Sequence, residues 1–393
     1  MKTIKDINFD GKKALIRVDF NVPLNKEFQV TDITRIKAAK PTIIKVLEDG
    51  GSAVLMSHLG RPKGVEAKFS LEHIVSKVSE VLGVQAKFVS SCVGADAEAA
   101  VANLQAGEIL ILENLRFHKE ETAGDISFSE QLSKLGDIYV NDAFGTAHRA
   151  HASTTVVAQF FEEKAAGFVM EAELVNADKV LKGAEKPFTS IMGGAKVSDK
   201  LLIIEKLLDV ADNIIIGGGM SYTFAKAAGG KIGQSLCEDD KLEYVVELQA
   251  KAKAKGVNLI FPIDTLIADD FSNDANTQLV AKGCIPDAWE GLDIGPESQA
   301  LFADIIKNSK TVLWNGPMGV FEIPAFEKGT VAVANAVKEA TENGAFSLIG
   351  GGDSAAAINN LGFGEDVSYV STGGGALLEY MEGKVLPGVK AIS

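Results

Sequence analysis

The sequence has few of the features that mark exported, membrane-spanning or disulfide-stabilised proteins. Only three cysteines occur among its 393 residues, namely Cys92, Cys237 and Cys284. They are too few and too far apart for a disulfide framework or a zinc knuckle. No apolar run is long enough to span a bilayer, and the first residues lack the apolar core of a signal peptide. These absences predict a cytoplasmic protein without membrane contact.

Positive charge is also in deficit. The chain has 39 Lys and Arg against 53 Asp and Glu, a formal net charge of −14. An acidic surface disfavours nucleic acid and anionic membranes as partners, so any anion must bind in a local basic pocket. The length is too great for one ordinary core, and 46% apolar with 23% charged residues is typical of folded domains.

The familiar nucleotide-binding fingerprints are missing as well. The sequence has no G-x-x-x-x-G-K-[ST] P-loop, no protein-kinase motif set, and no dinucleotide fingerprint after the first strand. It is rich in glycine instead, with 39 residues of this type. A nucleotide would therefore have to bind through a different arrangement of glycine-rich turns.

Apolar strands alternate with helical patterns along the whole chain, which predicts parallel sheets. The strands are predicted at 13–18, 53–56, 86–89, 108–112, 137–140, 189–192, 213–216, 258–261, 311–314, 346–349 and 368–370. We predict an α/β protein of two Rossmann-like domains, each a mainly parallel six-stranded sheet flanked by helices. A first domain at residues 1–169 and a second at 187–378 would be joined by a connecting helix or hinge at 170–186.

Polar residues that suit an acidic, hydroxylated ligand follow the strands of the first half. Ligands of parallel sheets bind beyond the carboxyl ends of the strands. Four arginines lie at such ends or at the start of the next helix: Arg35, Arg61, Arg116 and Arg149. Arginine binds phosphate and carboxylate groups bidentately. His58 adds a donor, and Asp19 and Asn21 could bind a hydroxyl. His148 and His151 could line the pocket or pack within their loop.

The stretch 187–208 combines a strand, a turn at Gly193 and Gly194, and a helix predicted to start near Ser198 and Asp199. Lys196 lies in the turn and Lys200 in the first helical turn, and lysine at this end of a helix opposes the helix dipole. An anion bound at the helix N-terminus would remove this conflict. The alternative is an ordinary corner with two solvated lysines.

Five glycine-rich corners follow strands of the second half, at 193–194, 217–219, 315–319, 350–354 and 371–375. Glycine lets backbone N–H groups approach phosphates and bases closely, so the set favours a nucleotide-sized ligand. Asp353 is a candidate Mg²⁺ ligand or a helix N-cap. Glu322 could accept hydrogen bonds from ribose, or could be a surface charge.

Taken together, these motifs resemble the phosphoglycerate kinase family over essentially the whole chain. The motifs that carry the resemblance lie at 17–23, 57–62, 113–117, 141–151, 193–200, 314–322, 350–354 and 371–376. The resemblance implies reversible, Mg-dependent phosphoryl transfer between 1,3-bisphosphoglycerate and ADP, giving 3-phosphoglycerate and ATP in glycolysis. It also implies a cytoplasmic monomer whose last residues, 379–393, pack back on the N-terminal domain.

The resemblance further implies which residues bind the substrates. The 3-phosphoglycerate ligands would be Asp19, Asn21, Arg35, His58, Arg61, Arg116 and Arg149. The nucleotide ligands would be Lys196, Lys200, Gly217, Gly218, Gly219, Asn315, Pro317, Gly319, Glu322, Gly350, Gly351, Gly352, Asp353 and Ser354, with Asp353 on Mg²⁺. Ser354 stands where the family more often has threonine, and this keeps the hydroxyl.

We assign the chemistry to Arg35 and Lys200, with support from Lys196 and from the N–H groups of Gly373 and Gly374. Transfer would be direct and in-line, on domain closure about the connector. Two other classes remain open from the residues alone. A two-domain anion-binding protein would not need the glycine corners, and a nicotinamide dehydrogenase should carry the G-x-G-x-x-G fingerprint.

Overall fold

The computed structural model describes residues 1–393 and divides them into two compact units. Unit 1 consists of Met1–Leu174 together with Lys384–Ser393, and unit 2 is Val175–Gly383. The predicted domain limits, 1–169 with 379–393 for the first domain and 187–378 for the second, stay a prediction. Which substrate each domain binds stays a prediction at this point.

The sheet of unit 1 has six parallel strands in the order β3-β4-β2-β1-β5-β6. They are β1 (Lys13–Arg17), β2 (Ser52–Met56), β3 (Ala86–Val89), β4 (Ile109–Leu112), β5 (Ile138–Asn141) and β6 (Lys164–Ala166). Five were predicted from apolar runs. The sixth strand, β6, was missed because it has only three residues and follows a charged stretch.

The helices of unit 1 cover both faces of this sheet. They are α1 (Thr34–Glu48), α2 (Val75–Leu82), α3 (Ala95–Ala102), α4 (Lys119–Ala123), α5 (Ile126–Ser133) and α6 (Phe168–Leu181), the last of which continues into unit 2. Alternate strand residues such as Ile16 and Leu55 pack against Ile43 of α1 and Val78 of α2. This core holds the carboxyl ends of the strands in one row.

Unit 2 also contains a parallel six-stranded sheet, in the order β10-β8-β7-β15-β16-β17. The strands of this unit are β7 (Phe188–Met192), β8 (Asn213–Ile216), β9 (Lys231–Ile232), β10 (Asn258–Ile260), β11 (Asp264–Ala268), β12 (Thr277–Ala281), β13 (Cys284–Ile285), β14 (Glu290–Ile294), β15 (Thr311–Asn315), β16 (Phe346–Ile349) and β17 (Tyr369–Val370). The predicted fold class of two such sheets is confirmed.

Two smaller sheets of unit 2 were not predicted. Strand β11 pairs antiparallel with β12 and β14, and β13 pairs with β9. Strand β12 is mostly exposed, so its residues lack the apolar pattern on which the prediction relied.

The remaining helices are α7 (Leu201–Leu207), α8 (Met220–Ala227), α9 (Leu242–Ala254), α10 (Pro296–Lys307), α11 (Lys328–Glu342), α12 (Gly352–Asn360), α13 (Gly375–Met381) and α14 (Pro387–Lys390). None of the helices is long and apolar enough to cross a membrane. Helix α14 belongs to unit 1, where the N–H of Gly388 donates to the carbonyl oxygen of Ala147 at 2.8 Å.

One predicted helix start was slightly too early, and the alternative of Asp353 as a helix N-cap is excluded. Helix α7 begins at Leu201 with Lys200 as its N-cap, because the hydroxyl and N–H of Ser198 donate to Glu238 at 2.5 and 3.0 Å. Helix α12 has Gly351 as its N-cap, so Asp353 lies within the first turn and does not cap the helix.

Candidate active site

The loops after β1 and β2 meet the start of α1 at the carboxyl edge of the sheet in unit 1. The Arg35 guanidinium donates from Nη1 to Oδ1 of Asp19 at 3.1 Å and to the carbonyl oxygen of Asn21 at 3.0 Å. Asn21 Oδ1 in turn accepts from the N–H of Gly60 at 2.8 Å. Three residues predicted to bind the substrate are therefore held in one hydrogen-bonded group.

Arg116, after β4, joins this group through the same glycine. Its Nη1 donates to the carbonyl oxygen of Gly60 at 2.8 Å, while its buried Nε has no partner. Burial lowers the pKa of Arg116, and the neighbouring Arg17, Arg149 and Arg61 lower it further, although Glu121 acts in the opposite direction. Because these positive charges lie close together, the cluster favours an anionic ligand.

Two histidines lie among these arginines. Burial lowers the pKa of His58 well below its usual range, and the charges of Arg17 and Arg116 add to the effect. Burial and the charges of Arg116, Arg17 and Arg149 lower the pKa of His151 to about 4. Both imidazoles are therefore neutral at pH 7 and can donate a hydrogen bond without carrying a charge.

Arg17 is a member of the cluster that the sequence analysis missed. It ends β1 and is fully buried, and its Nη2 lies 3.1 Å from Nδ1 of His58. Arg17 could have been predicted, because it is a charged residue at the end of an apolar strand and directly precedes the loop that contains Asp19 and Asn21. By contrast, Arg61 and Arg149 are exposed and act on the cluster through their charges. Both lower the pKa of Arg116, and Arg149 also lowers the pKa of His151.

Unit 2 contains a pocket at the carboxyl edge of its main sheet, with a cavity volume of about 330 Å³. Six predicted nucleotide ligands line it: Gly218, Gly219, Pro317, Gly319, Glu322 and Asp353. An apolar wall was not predicted, and it includes Tyr222, Leu236, Phe271, Leu292 and Val320. Leu236 and Phe271 are more than half exposed, and exposed apolar surface of this kind is typical of a ligand-binding site.

The loops after β7 and β15 touch at the point where the strand order reverses. The N–H of Gly193 donates to the carbonyl oxygen of Asn315 at 2.9 Å, and that of Gly194 to Pro317 at 3.0 Å. A Cβ atom added to Gly316 would overlap the carbonyl oxygen of Gly193. Glycine is required here because no side chain fits between the two backbones.

Gly316→Ala is expected to destabilise unit 2 by more than the roughly 1–3 kcal/mol that its φ of 101° costs alone, because the added Cβ atom also overlaps the carbonyl oxygen of Gly193. The free energy of unfolding from denaturant titration is the measurement. Gly344→Ala is the matched control, since Gly344 has a φ of 90° and open space around an added Cβ. Equal losses in the two variants would contradict a role for the close approach.

Lys200 is half-buried near the start of α12. Its Nζ donates to Oδ1 of Asn315, and burial lowers its pKa although Asp199 and Asp353 act in the opposite direction. The Nδ2 of Asn315 is buried without a partner. These groups present hydrogen-bond donors beside the pocket, whereas Lys196 is exposed.

Several other predicted ligands have structural partners. The Ser354 hydroxyl accepts from the N–H of Gly316 at 2.5 Å, and the N–H of Gly373 donates to the hydroxyl of Ser371 at 3.0 Å. A Cβ on Gly217 would meet Met318, and one on Gly350 would meet Leu377. Gly351, Gly352 and Gly374 lie at the starts of α12 and α13.

The fold and these two sites define a two-unit α/β protein with an anion-attracting sheet edge on one unit and a glycine-walled pocket on the other. The family model described as phosphoglycerate kinase matches residues 4–384. The chain belongs to the phosphoglycerate kinase family, as the motifs predicted.

Individual relatives agree with this assignment. The chain is 53% identical to a phosphoglycerate kinase of Porphyromonas gingivalis, with 99% of each chain covered. It is 51% identical to that of Chloroherpeton thalassium, covering 100% of this chain and 99% of the relative. The solved structure of phosphoglycerate kinase from Coxiella burnetii matches with a TM-score of 0.90 at 37% identity, covering 99% of this chain and 98% of that one.

Proposed function

We propose that this protein catalyses the reversible transfer of a phosphoryl group between 1,3-bisphosphoglycerate and ADP, giving 3-phosphoglycerate and ATP in glycolysis. The observation that carries the proposal is that a member of this family has both a basic sheet edge and a glycine-walled pocket. Neither an anion-binding protein nor a nicotinamide dehydrogenase accounts for the family membership.

The acidic substrate would bind in unit 1. It carries a carboxylate, a hydroxyl and a phosphate, and the residues assigned to it supply planar cationic donors and hydroxyl acceptors. They are Asp19, Asn21, Arg35, His58, Arg61, Arg116 and Arg149. The positive charges of Arg17, Arg149 and Arg61 around Arg116 support this assignment.

The nucleotide would bind in unit 2, with its base against the apolar wall of the pocket and its ribose near Glu322. Its phosphates would lie towards Lys200, Asn315 and the N-terminus of α12, where donors converge. The buried, unpartnered Nδ2 of Asn315 supports this direction. Lys196 and the glycine corners would complete the contacts.

The reaction needs no general base, because the attacking carboxylate has an ordinary pKa of about 3–4 and is ionised at pH 7. Catalysis then depends on positioning and on charge stabilisation of the transferring group. We assign Arg35 and Lys200 to its oxygens, with Lys196, Gly373 and Gly374 in support. The Gly373 N–H would have to exchange its bond with Ser371 for one with the phosphoryl group. Domain closure about the connector would exclude water.

Mg²⁺ would accompany the nucleotide phosphates and supply positive charge there. The residues fit this role, since Mg²⁺ usually binds one or two carboxylates plus phosphate oxygens. Asp353 is an exposed carboxylate that lines the pocket, close enough to influence the pKa of Lys200. No group of three metal-binding side chains occurs that could hold a metal without the nucleotide.

Asp353→Asn is expected to raise the Mg²⁺ concentration for half-maximal activity by about tenfold, because one charged ligand is lost. Initial rates across an Mg²⁺ series at saturating substrates give this value. Glu365→Gln removes an exposed carboxylate that does not line the pocket and serves as the control. An unchanged Mg²⁺ dependence would exclude Asp353 as the ligand.

The proposed activity is tested by coupling the reverse reaction to glyceraldehyde-3-phosphate dehydrogenase and following NADH loss. Loss that requires protein, 3-phosphoglycerate and Mg-ATP together would support the proposal. A folded protein that binds Mg-ATP without NADH loss would contradict it. We also propose that the protein is cytoplasmic and monomeric. Light scattering at assay concentration tests whether it is a monomer.

A further inference from the structure

A chain of buried polar groups runs from α4 to the predicted substrate site of unit 1. Glu121 is fully buried, and its two carboxylate oxygens accept from the hydroxyl and the N–H of Ser153 at 2.6 and 2.9 Å. The Ser153 oxygen accepts from Nε of Arg17 at 2.8 Å. Arg17 Nη2 then contacts Nδ1 of His58. All four side chains are buried.

The direction of each hydrogen bond in this chain follows from chemistry. A guanidinium has donors and no acceptor, so Nδ1 of His58 must accept and cannot carry a proton. The single proton of the neutral ring is then on Nε2. The Ser153 hydroxyl has one proton, which it gives to Glu121, and its oxygen therefore stays available to Arg17.

The segment around Ser153 is held from a second side. The Tyr139 hydroxyl donates to the carbonyl oxygen of Ser153 at 2.8 Å, and both residues are fully buried. Besides burial, the titratable groups that lower the pKa of His58 are Arg17, Arg116, Arg35 and His151, none of which is acidic. No carboxylate among them holds the ring, so Arg17 is the contact that orients it.

We propose that Glu121 and Ser153 are positioning residues that act through Arg17 to hold His58 as the Nε2–H tautomer, ready to donate to the acidic substrate. Neither residue contacts substrate in this account. Their effect is to keep Arg17 from turning away from Nδ1. The proposal rests on the proposed function only for the identity of the substrate.

The tautomer is measured first on the wild-type protein, by long-range ¹H–¹⁵N spectra of ¹⁵N-histidine-labelled material at pH 7.5. The chain has five histidines, and His58→Gln assigns the resonance. A neutral ring with protonated Nε2 and bare Nδ1 is expected. A protonated ring or the Nδ1–H tautomer would overturn the proposal, whether or not the enzyme assay succeeds.

Ser153→Ala removes the acceptor of Arg17 Nε and leaves only the bond from Nη1 to the carbonyl oxygen of Val18 to hold the guanidinium from the backbone. Glu121→Gln places an amide donor against a Ser153 donor. Each is expected to produce a mixture of His58 tautomers and to raise KM for 3-phosphoglycerate about tenfold, with a smaller change in kcat. Glu120→Gln, one residue away and outside the chain of contacts, should leave both readouts unchanged.

Two outcomes for the variants would show that Glu121 and Ser153 do not position His58. A wild-type His58 spectrum and KM in folded Ser153→Ala would overturn the proposal. Lowered stability with an unchanged tautomer would mean that the network supports the fold alone. If either variant fails to fold, as judged by circular dichroism, the wild-type spectrum still decides, because the inferred tautomer is a property of the native chain.

Discussion

Replacing Arg35 by alanine is expected to lower kcat by about 10²-fold or more, the loss that follows removal of one preorganised donor. The effect should not arise from unfolding. The Arg35 side chain is 36% exposed, so solvent screens its partly buried ion pair with Asp19 at 3.1 Å and limits the contribution of that pair to stability to about 1 kcal/mol. Steady-state kinetics in the reverse direction, with the free energy of unfolding measured alongside, separate the two effects.

Two further variants sharpen this test. Lys37→Ala removes an exposed cation from the same helix and should leave kcat unchanged. Arg35→Lys keeps the charge but loses the planar pair of donors, so its kcat should fall between those of wild type and Arg35→Ala. A kcat for Arg35→Ala within about threefold of wild type would remove Arg35 from the chemistry.

The main sheets could be predicted from the sequence because buried parallel strands are near-continuous apolar runs. Strands such as Ile109–Leu112 are buried at every position, so their pattern depends little on what lies around them. Strand Thr277–Ala281 is exposed and depends on its neighbour for hydrogen bonds. Its sequence carries no comparable signal, and the small antiparallel sheet was therefore missed.

Some features of the candidate site in unit 1 could likewise be predicted from the sequence, and others could not. Arg35 and Arg116 could be found because they follow strands whose carboxyl ends a parallel sheet brings to one edge. The link from Glu121 through Ser153 to Arg17 could not be predicted, because it joins a helix, a loop and a strand that are far apart in the sequence. Such a contact exists only after folding, and the residue types alone do not indicate it.

Unit 2 adds a different limit to prediction. Its glycine corners predicted where the pocket lies, yet the apolar wall of the pocket comes from segments such as Leu236 and Phe271 that follow no strand of the main sheet. Some predicted contacts have internal partners instead, as the Ser354 hydroxyl does with the N–H of Gly316. A motif therefore indicates which residues surround a ligand better than which atoms touch it.

Lys200→Met is expected to lower kcat by about 10²-fold or more, comparable to the loss for Arg35→Ala. The substitution removes the charge and keeps most of the length of the side chain. Lys200 Nζ is held by the side-chain oxygen of Asn315 and lies near Asp353, so its charge is already positioned when the nucleotide binds. Charge on the transferring oxygens needs this support most in the transition state, and kcat should therefore fall more than nucleotide affinity.

The measurement pairs kcat from the reverse assay with the dissociation constant of Mg-ATP from calorimetry. Lys206→Met, which removes an exposed lysine from the last turn of α7, is the matched control. A fall in affinity that matches the fall in kcat/KM, with kcat unchanged, would assign Lys200 to uniform nucleotide binding. Arg35 and Lys196 would then be the charged side chains assigned to the transferring group, with correspondingly greater weight on the backbone donors of Gly373 and Gly374.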